Sequence, residues 1–193
     1  MSHYFIENHE VLTQDREIPL EIFGHRLGFL TNNGLFSCDK IDDASLILIQ
    51  NMPPVKGAFL DLGCGYGVIG ISLAKTNEIV LTQSDINSLA LSYAQKNAAR
   101  NGVIATLIHS DSFEKINGKF ETITLNPPIH AGKDVMYRMY EDSAAHLTPD
   151  GAFYIVIQKK HGAESSIKKL KTIFKYVEII YKKKSLFVVR SHA

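Results

Sequence analysis

The sequence predicts an α/β protein built on a doubly wound, mostly parallel sheet of seven strands, with an antiparallel last strand and a small N-terminal β extension. Three observations predict it. Short apolar runs alternate with helix-period segments from about residue 57 onward, the pattern of parallel strands joined by right-handed crossovers. The first of these runs ends in a glycine-rich turn that opens an apolar helix. The last two runs are joined only by Lys182-Lys183-Lys184-Ser185, short enough for an antiparallel hairpin.

Taken in order, 18–23 and 25–30 read as strands around Gly24, and Asn32-Asn33-Gly34 is a turn signal. Asp42-Asp43 can cap a helix running through Asn51. Parallel strands follow at 58–62, 79–83, 105–109, 122–125 and 153–157. Helices are expected from the glycine turn to about Lys75, at 87–101 with Gly102 as its stop, at 134–146, and at 165–174. The hairpin strands are 177–181 and 186–190. With no repeat and no low-complexity linker, residues 1–193 read as one domain, with 1–40 as the β extension and 41–193 as the core.

Composition fits a single globular domain, with 45% hydrophobic and 21% charged residues. No apolar stretch approaches the roughly 18 residues of a membrane span, and the first residues lack the basic and apolar regions of a signal peptide. Two cysteines make no disulfide framework, so a cytoplasmic location is expected. Residues 1–150 carry 11 basic and 18 acidic side chains, a balance of −7, whereas residues 151–193 carry 10 basic and 2 acidic, a balance of +8. That basic end reads either as a face for a polyanion such as RNA or as the solvated side of a terminal helix, with Lys168, Lys171 and Lys175 turned outward.

Two local patterns carry chemistry. Gly63, Gly65 and Gly67 let the backbone turn tightly and approach a ligand at the carboxyl end of a strand. A dinucleotide pattern starting at Gly63 fails because residue 68 is Val; started at Gly65 it fits through Gly67 and Gly70. Acidic residues then close the next two strands: Asp85 suits the ribose hydroxyls of a nucleoside, and Asp111 an adenine amino group. The second pattern is Asn126-Pro127-Pro128-Ile129 after the fourth parallel strand. Each proline removes a donor and fixes φ, so the chain leaves the strand as a stiff extended corner with acceptors exposed. The histidines and cysteines show no paired spacing of the zinc type, so no metal site is expected.

With Asp61-Leu62-Gly63-Cys64-Gly65-Tyr66-Gly67, Asp85, Asp111 and Asn126-Pro127-Pro128-Ile129 in this order, the chain resembles the class I S-adenosylmethionine-dependent methyltransferases. Within them it is most similar to the RsmC-type guanine-N2 methyltransferases of small-subunit ribosomal RNA. The shared stretches are His3-Tyr4-Phe5, Gly34-Leu35-Phe36-Ser37, Lys40-Ile41-Asp42, the segment from Asn126 to Lys133, and Gln158-Lys159-Lys160-His161-Gly162-Ala163. Larger members carry a second, duplicated domain for which this chain has no room, and many have an aromatic residue where Ile129 stands.

The resemblance implies a Rossmann-like methyltransferase fold, S-adenosyl-L-methionine as cofactor, and ribosomal RNA or the small ribosomal subunit as partner. It implies cofactor contacts from Asp61, Gly63, Cys64, Gly65, Gly67, Asp85, Ile86, Asp111, Ser112 and Asn126, and an amine grip formed by Asn126, Pro127, Pro128 and Ile129. Phe36, His130 and Lys133 are candidate substrate contacts, with Phe36 the candidate for base stacking. Adenine N6 or a protein glutamine amide would fit the same grip, since each presents a planar nitrogen. A non-catalytic nucleic-acid-binding module is the alternative from another class.

Overall fold

The computed structural model describes residues 14–193, so the expectation for His3-Tyr4-Phe5 lies outside the described residues. Among the described residues, nine strands and five α-helices follow one another as β1 (Arg16–Ile22), β2 (His25–Thr31), α1 (Asp43–Asn51), β3 (Lys56–Leu62), α2 (Val68–Ala74), β4 (Glu78–Asp85), α3 (Ser88–Arg100), β5 (Ala105–His109), β6 (Phe120–Leu125), α4 (Lys133–Ala145), β7 (Leu147–Gln158), α5 (Ala163–Ile173), β8 (Tyr176–Lys183) and β9 (Leu186–His192). Short 3-10 turns, Ile129–Ala131 and Lys159–His161, precede α4 and α5.

The main sheet has the order β5-β4-β3-β6-β7-β9-β8. All its pairings are parallel except those of β9, which runs antiparallel to both neighbours. The chain reverses its direction of travel between β3 and β6, which creates the switch point where ligands bind in open α/β sheets. Register brings the strand ends level: Leu62 pairs with Ser84 on one side and Leu125 on the other, and Asp85 pairs with His109.

Both faces of the sheet are covered, so strand residues divide by alternation. Phe59, Tyr154, Val156 and Val188 point into the layer made by α1, α2 and α3. Leu60, Leu62, Phe153, Ile155, Ile157 and Val189 point into the layer made by α4 and α5. Tyr140 of α4 and Phe153 lie with ring centroids 5.9 Å apart at the centre of that second layer.

β1 and β2 form a separate antiparallel hairpin held to α3. Asn97 and Asn101, one helical turn apart, replace the strand that β2 lacks on its free edge. Asn101 exchanges two hydrogen bonds with the Gly28 backbone, and Asn97 accepts from Leu30 N at 2.7 Å and donates to Leu30 O at 2.9 Å. Asn97 Nδ2 also donates to the carbonyl of Tyr66 in the glycine turn at 2.9 Å, so the hairpin and the ligand loop share one buried amide.

The elements match the sequence expectations in order and type, with a few shifted ends. β7 begins at Leu147, ahead of the strand expected at 153–157. The exposed Pro149 sits in that first stretch, where the pairing with β6 shifts register between Phe120 and Thr122. Proline is tolerated at such an irregularity because the donor it lacks is not needed there.

Candidate active site

The register places the glycine turn, Asp85, Asp111 and Asn126 together along the carboxyl edge of the sheet. Gly63, Gly65 and Gly67 have φ of 65°, 57° and 95°. A Cβ on Gly65 would meet nothing within 4 Å, so the turn faces open space, whereas one on Gly67 would lie 2.8 Å from Ile71. The left-handed backbone at 65 and the tight packing at 67 are thus separate reasons for glycine.

Asp61 braces this turn from within. It is 1% exposed, and its carboxylate accepts from Gly70 N at 2.9 Å, Gln83 Nε2 at 3.0 Å and Thr124 Oγ1 at 3.3 Å. Burial raises its pKa to about 6, against the opposing pull of those hydrogen bonds. The carboxylate is spent on helix α2 and the neighbouring strands, so the open face of the site is left to the loop backbone and to Asp85. Asp85 accepts from Gly65 N at 2.8 Å and Asn87 N at 2.9 Å, which pins the turn to the end of β4. Its pKa is raised by burial. Two backbone bonds leave further carboxylate lone pairs for hydroxyl donors. Ile86 beside it is a partly exposed apolar side chain.

Asp111 makes an ion pair with Arg138 of α4 at 2.9 Å, a partner 27 residues away that sequence reasoning missed. Ser112 next to it has φ 47° and a buried Oγ with no hydrogen-bond partner among the described residues. A left-handed non-glycine residue with an unspent hydroxyl at a strand end is the kind of strain found at ligand sites. Cys64 is buried and its thiol is pushed up by burial and by the nearby Asp85 and Asp61 carboxylates, so it stays protonated and unreactive.

At the corner, Asn126 is half-buried, Pro127 buried, and Pro128 and Ile129 partly exposed. Asn126 Nδ2 donates to Asp42 Oδ2 at 2.9 Å and Ser45 Oγ at 3.0 Å. Asp42 is also the N-cap of α1, accepting from Ser45 N at 2.9 Å. These contacts span 84 and 81 residues, and no local motif announces them. The cap itself was legible; its second duty was not.

Phe36 is 57% exposed, on the segment between β2 and α1. That segment is tied to both halves of the site: Tyr66 OH donates to the Ser37 carbonyl at 3.2 Å, and Asp42 holds Asn126. His130 and Lys133 are exposed and lie directly beyond the corner, with Lys133 opening α4. Among the described residues, no group of three or more His, Cys, Asp or Glu side chains is placed to hold a metal ion, and no helix is long and apolar enough to cross a membrane.

A glycine turn facing open space, a strand-end carboxylate beside it and an amide corner across the switch point define a class I methyltransferase that uses S-adenosyl-L-methionine. The chain belongs to the methyltransferase small domain family, whose profile matches residues 26–190. The uncharacterized protein YbxB of Bacillus subtilis (strain 168) is 36% identical over 195 residues, covering 98% of this chain and 97% of that one. The ribosomal RNA small subunit methyltransferase C of Aeromonas hydrophila is 41% identical over 128 residues, 64% of this chain but 37% of that protein. The T. thermophilus 16S rRNA N2 G1207 methyltransferase, solved with AdoMet and guanosine, superposes with a TM-score of 0.82 at 28% identity, over 92% of this chain and 50% of that one. The chain thus spans half or less of the ribosomal RNA methyltransferases it matches.

The residues present fit the cofactor. The open-faced turn leaves room for close backbone approach, Asp85 keeps acceptor capacity, and nearby stand an exposed apolar side chain, Ile86, and an unspent hydroxyl, Ser112 Oγ.

Proposed function

We propose that this protein methylates an exocyclic base amine of RNA, with guanine N2 of small-subunit (16S) ribosomal RNA as the target, and that residues 1–193 act as one catalytic domain. The observation that carries the reading is the orientation of Asn126. A carboxylate only accepts, so the amide must turn Nδ2 toward Asp42, which keeps Oδ1 as its acceptor for a substrate. The substrates named for the Aeromonas and T. thermophilus relatives support RNA as the molecule that carries the amine. An enzyme with that substrate works in the cytoplasm.

When bound, S-adenosyl-L-methionine supplies a methyl group already activated on a sulfonium. The protein's task is therefore positioning and electrostatics. A base amine is flat because its lone pair is delocalised into the ring. Asn126 Oδ1 and the Pro127 carbonyl each accept one amine hydrogen, drawing the nitrogen toward tetrahedral geometry and freeing the lone pair. No strong base is needed beforehand, since the proton becomes acidic once the nitrogen is cationic. Phe36 stacks on the base, the part that an aromatic residue at position 129 would otherwise play. His130 and Lys133 lie where flanking phosphate would pass.

The test is methylation of RNA and of small subunits from a strain lacking the gene, with the modified nucleotide mapped by mass spectrometry. The reading expects N2-methylguanine in 16S RNA. Methylation of adenine N6, or of protein glutamine alone, would replace the target.

A further inference from the structure

The carboxyl edge of the sheet is divided by charge. The β3-β4-β5 half carries Asp61, Asp85 and Asp111 around the cofactor turn. The β6-β7-β9-β8 half carries Lys133 after β6, Lys159 and Lys160 after β7, and Lys182, Lys183 and Lys184 at the β8–β9 tip. The tip belongs to this edge because Gln158, the last residue of β7, pairs with Leu186. The basic excess of the last 43 residues is therefore two groups. One lies on the outer side of α5 and just beyond its end, through Lys168 and Lys171 on the helix and Lys175 in the link to β8. The other lies on the acceptor side of the site.

The second group is built around a groove of about 350 Å³ between the start of α5 and the hairpin, walled by Lys159, Lys182 and Lys184, with the exposed Ile179 and the largely buried Phe187 as apolar lining and Glu164 as the one acid among the described residues that line it. Its shape is fixed by the backbone. Lys159 N donates to Ser185 O at 2.6 Å, tying the hairpin tip to the turn after β7, and Lys184 holds the tip with φ 53°. Lys182 Nζ lies 5.1 Å from the centre of the Phe187 ring. Among the described residues none of these three lysines is in an ion pair; the basic side chains so engaged include Lys169, with Glu141, and Arg190, with Glu178. Ile179 is 47% exposed on the same surface. Three strand spacings separate β6 from β8, roughly 14 Å at about 4.8 Å each.

We infer that this groove is the docking track for the backbone of single-stranded RNA flanking the target nucleotide, with Lys159, Lys182 and Lys184 taking phosphates and Ile179 lying under a sugar or base. Exposed ammonium groups around an apolar floor are the equipment of a sequence-tolerant single-strand site. The groove is set a few nucleotides from the Asn126 corner, so it holds the strand while the amine reaches the grip. It also places a means of RNA docking on the catalytic domain itself. The inference rests on the RNA reading above.

The test compares two triple variants of equal charge loss, Lys159→Gln/Lys182→Gln/Lys184→Gln in the groove and Lys168→Gln/Lys171→Gln/Lys175→Gln on α5 and just after it. Binding of a fluorescently labelled single-stranded 16S RNA fragment is measured against salt, alongside methyl transfer. The groove variant is expected to bind RNA at least tenfold more weakly at low salt, with the slope of log affinity against log salt reduced by about 2. KM rises while kcat holds, and S-adenosylhomocysteine still binds as in the unaltered protein. The α5 variant is expected to stay within twofold. Equal losses in both variants, or none in the groove variant, overturns the groove. RNA bound through the groove but never methylated would refute the proposed function and leave the groove standing.

Discussion

Asn126 Nδ2 donates to Asp42 Oδ2 at 2.9 Å, so the capping residue of α1 also orients the amide at the end of β6. One carboxylate oxygen accepts from Ser45 N, from Ser45 Oγ and from Asn126. The amide therefore has one orientation, which in the proposed mechanism presents Oδ1 to the acceptor nitrogen. A wrongly turned amide would offer donors to an amine that is itself a donor.

Asp42→Asn keeps a good cap for α1 but lets the two amides pair either way round. Methyl transfer should fall by about 10-fold to 10²-fold, with S-adenosylhomocysteine affinity unchanged by calorimetry. Asn126→Ala should cost more, and adding Asp42→Asn to it should cost nothing further, because the partner is already gone. Independent, multiplying losses would show that Asp42 does not act through Asn126.

Phe36→Ala should weaken binding of the RNA substrate by about 1–3 kcal/mol, the scale of one base on an aromatic ring, without changing cofactor affinity. Phe36→Tyr should restore it. Loss of cofactor binding in Phe36→Ala would instead make it a lid over the turn.

Asn97→Ala removes a fully buried amide with three hydrogen bonds to β2 and the glycine turn. Leaving those backbone groups unpaired should destabilise the protein on the order of 3 kcal/mol, read as a lower urea midpoint. Because the Tyr66 carbonyl is among them, cofactor affinity should fall as well.

The burial of Asp61 gives the fold a pH dependence. Burial raises its pKa from 3.8 to about 6, so the native state holds this proton more tightly than the unfolded chain does. That stabilisation is complete below about pH 4 and is lost as pH rises through about 6. Asp61→Asn keeps an oxygen for Gly70 N and cannot ionise. The stability difference between this variant and the unaltered protein should therefore shift in the variant's favour by on the order of 2 kcal/mol between pH 4 and 7, measured by urea denaturation without cofactor. A difference independent of pH would contradict it.

The sheet was legible because strands buried on both faces are near-continuous apolar runs, as in Phe59-Leu60-Asp61-Leu62, interrupted by Asp61 alone, and Tyr154-Ile155-Val156-Ile157. The corner was legible because two prolines constrain the chain locally whatever surrounds them. What the sequence did not disclose is pairing at a distance: Asn126 with Asp42, Asp111 with Arg138, Asn97 with β2. Each depends on three-dimensional proximity between polar residues that, taken singly, look like caps or surface groups. Asp61 shows the same limit, since its motif position marks the turn but only burial shows that its carboxylate points inward.

The most direct test of the account is methyl transfer to 16S RNA by Asn126→Ala, with S-adenosylhomocysteine binding measured on the same preparation. The account predicts turnover lower by at least about 10²-fold and cofactor affinity within about twofold of the unaltered protein. Turnover retained alongside intact cofactor binding would contradict it, because the amine would then be gripped elsewhere.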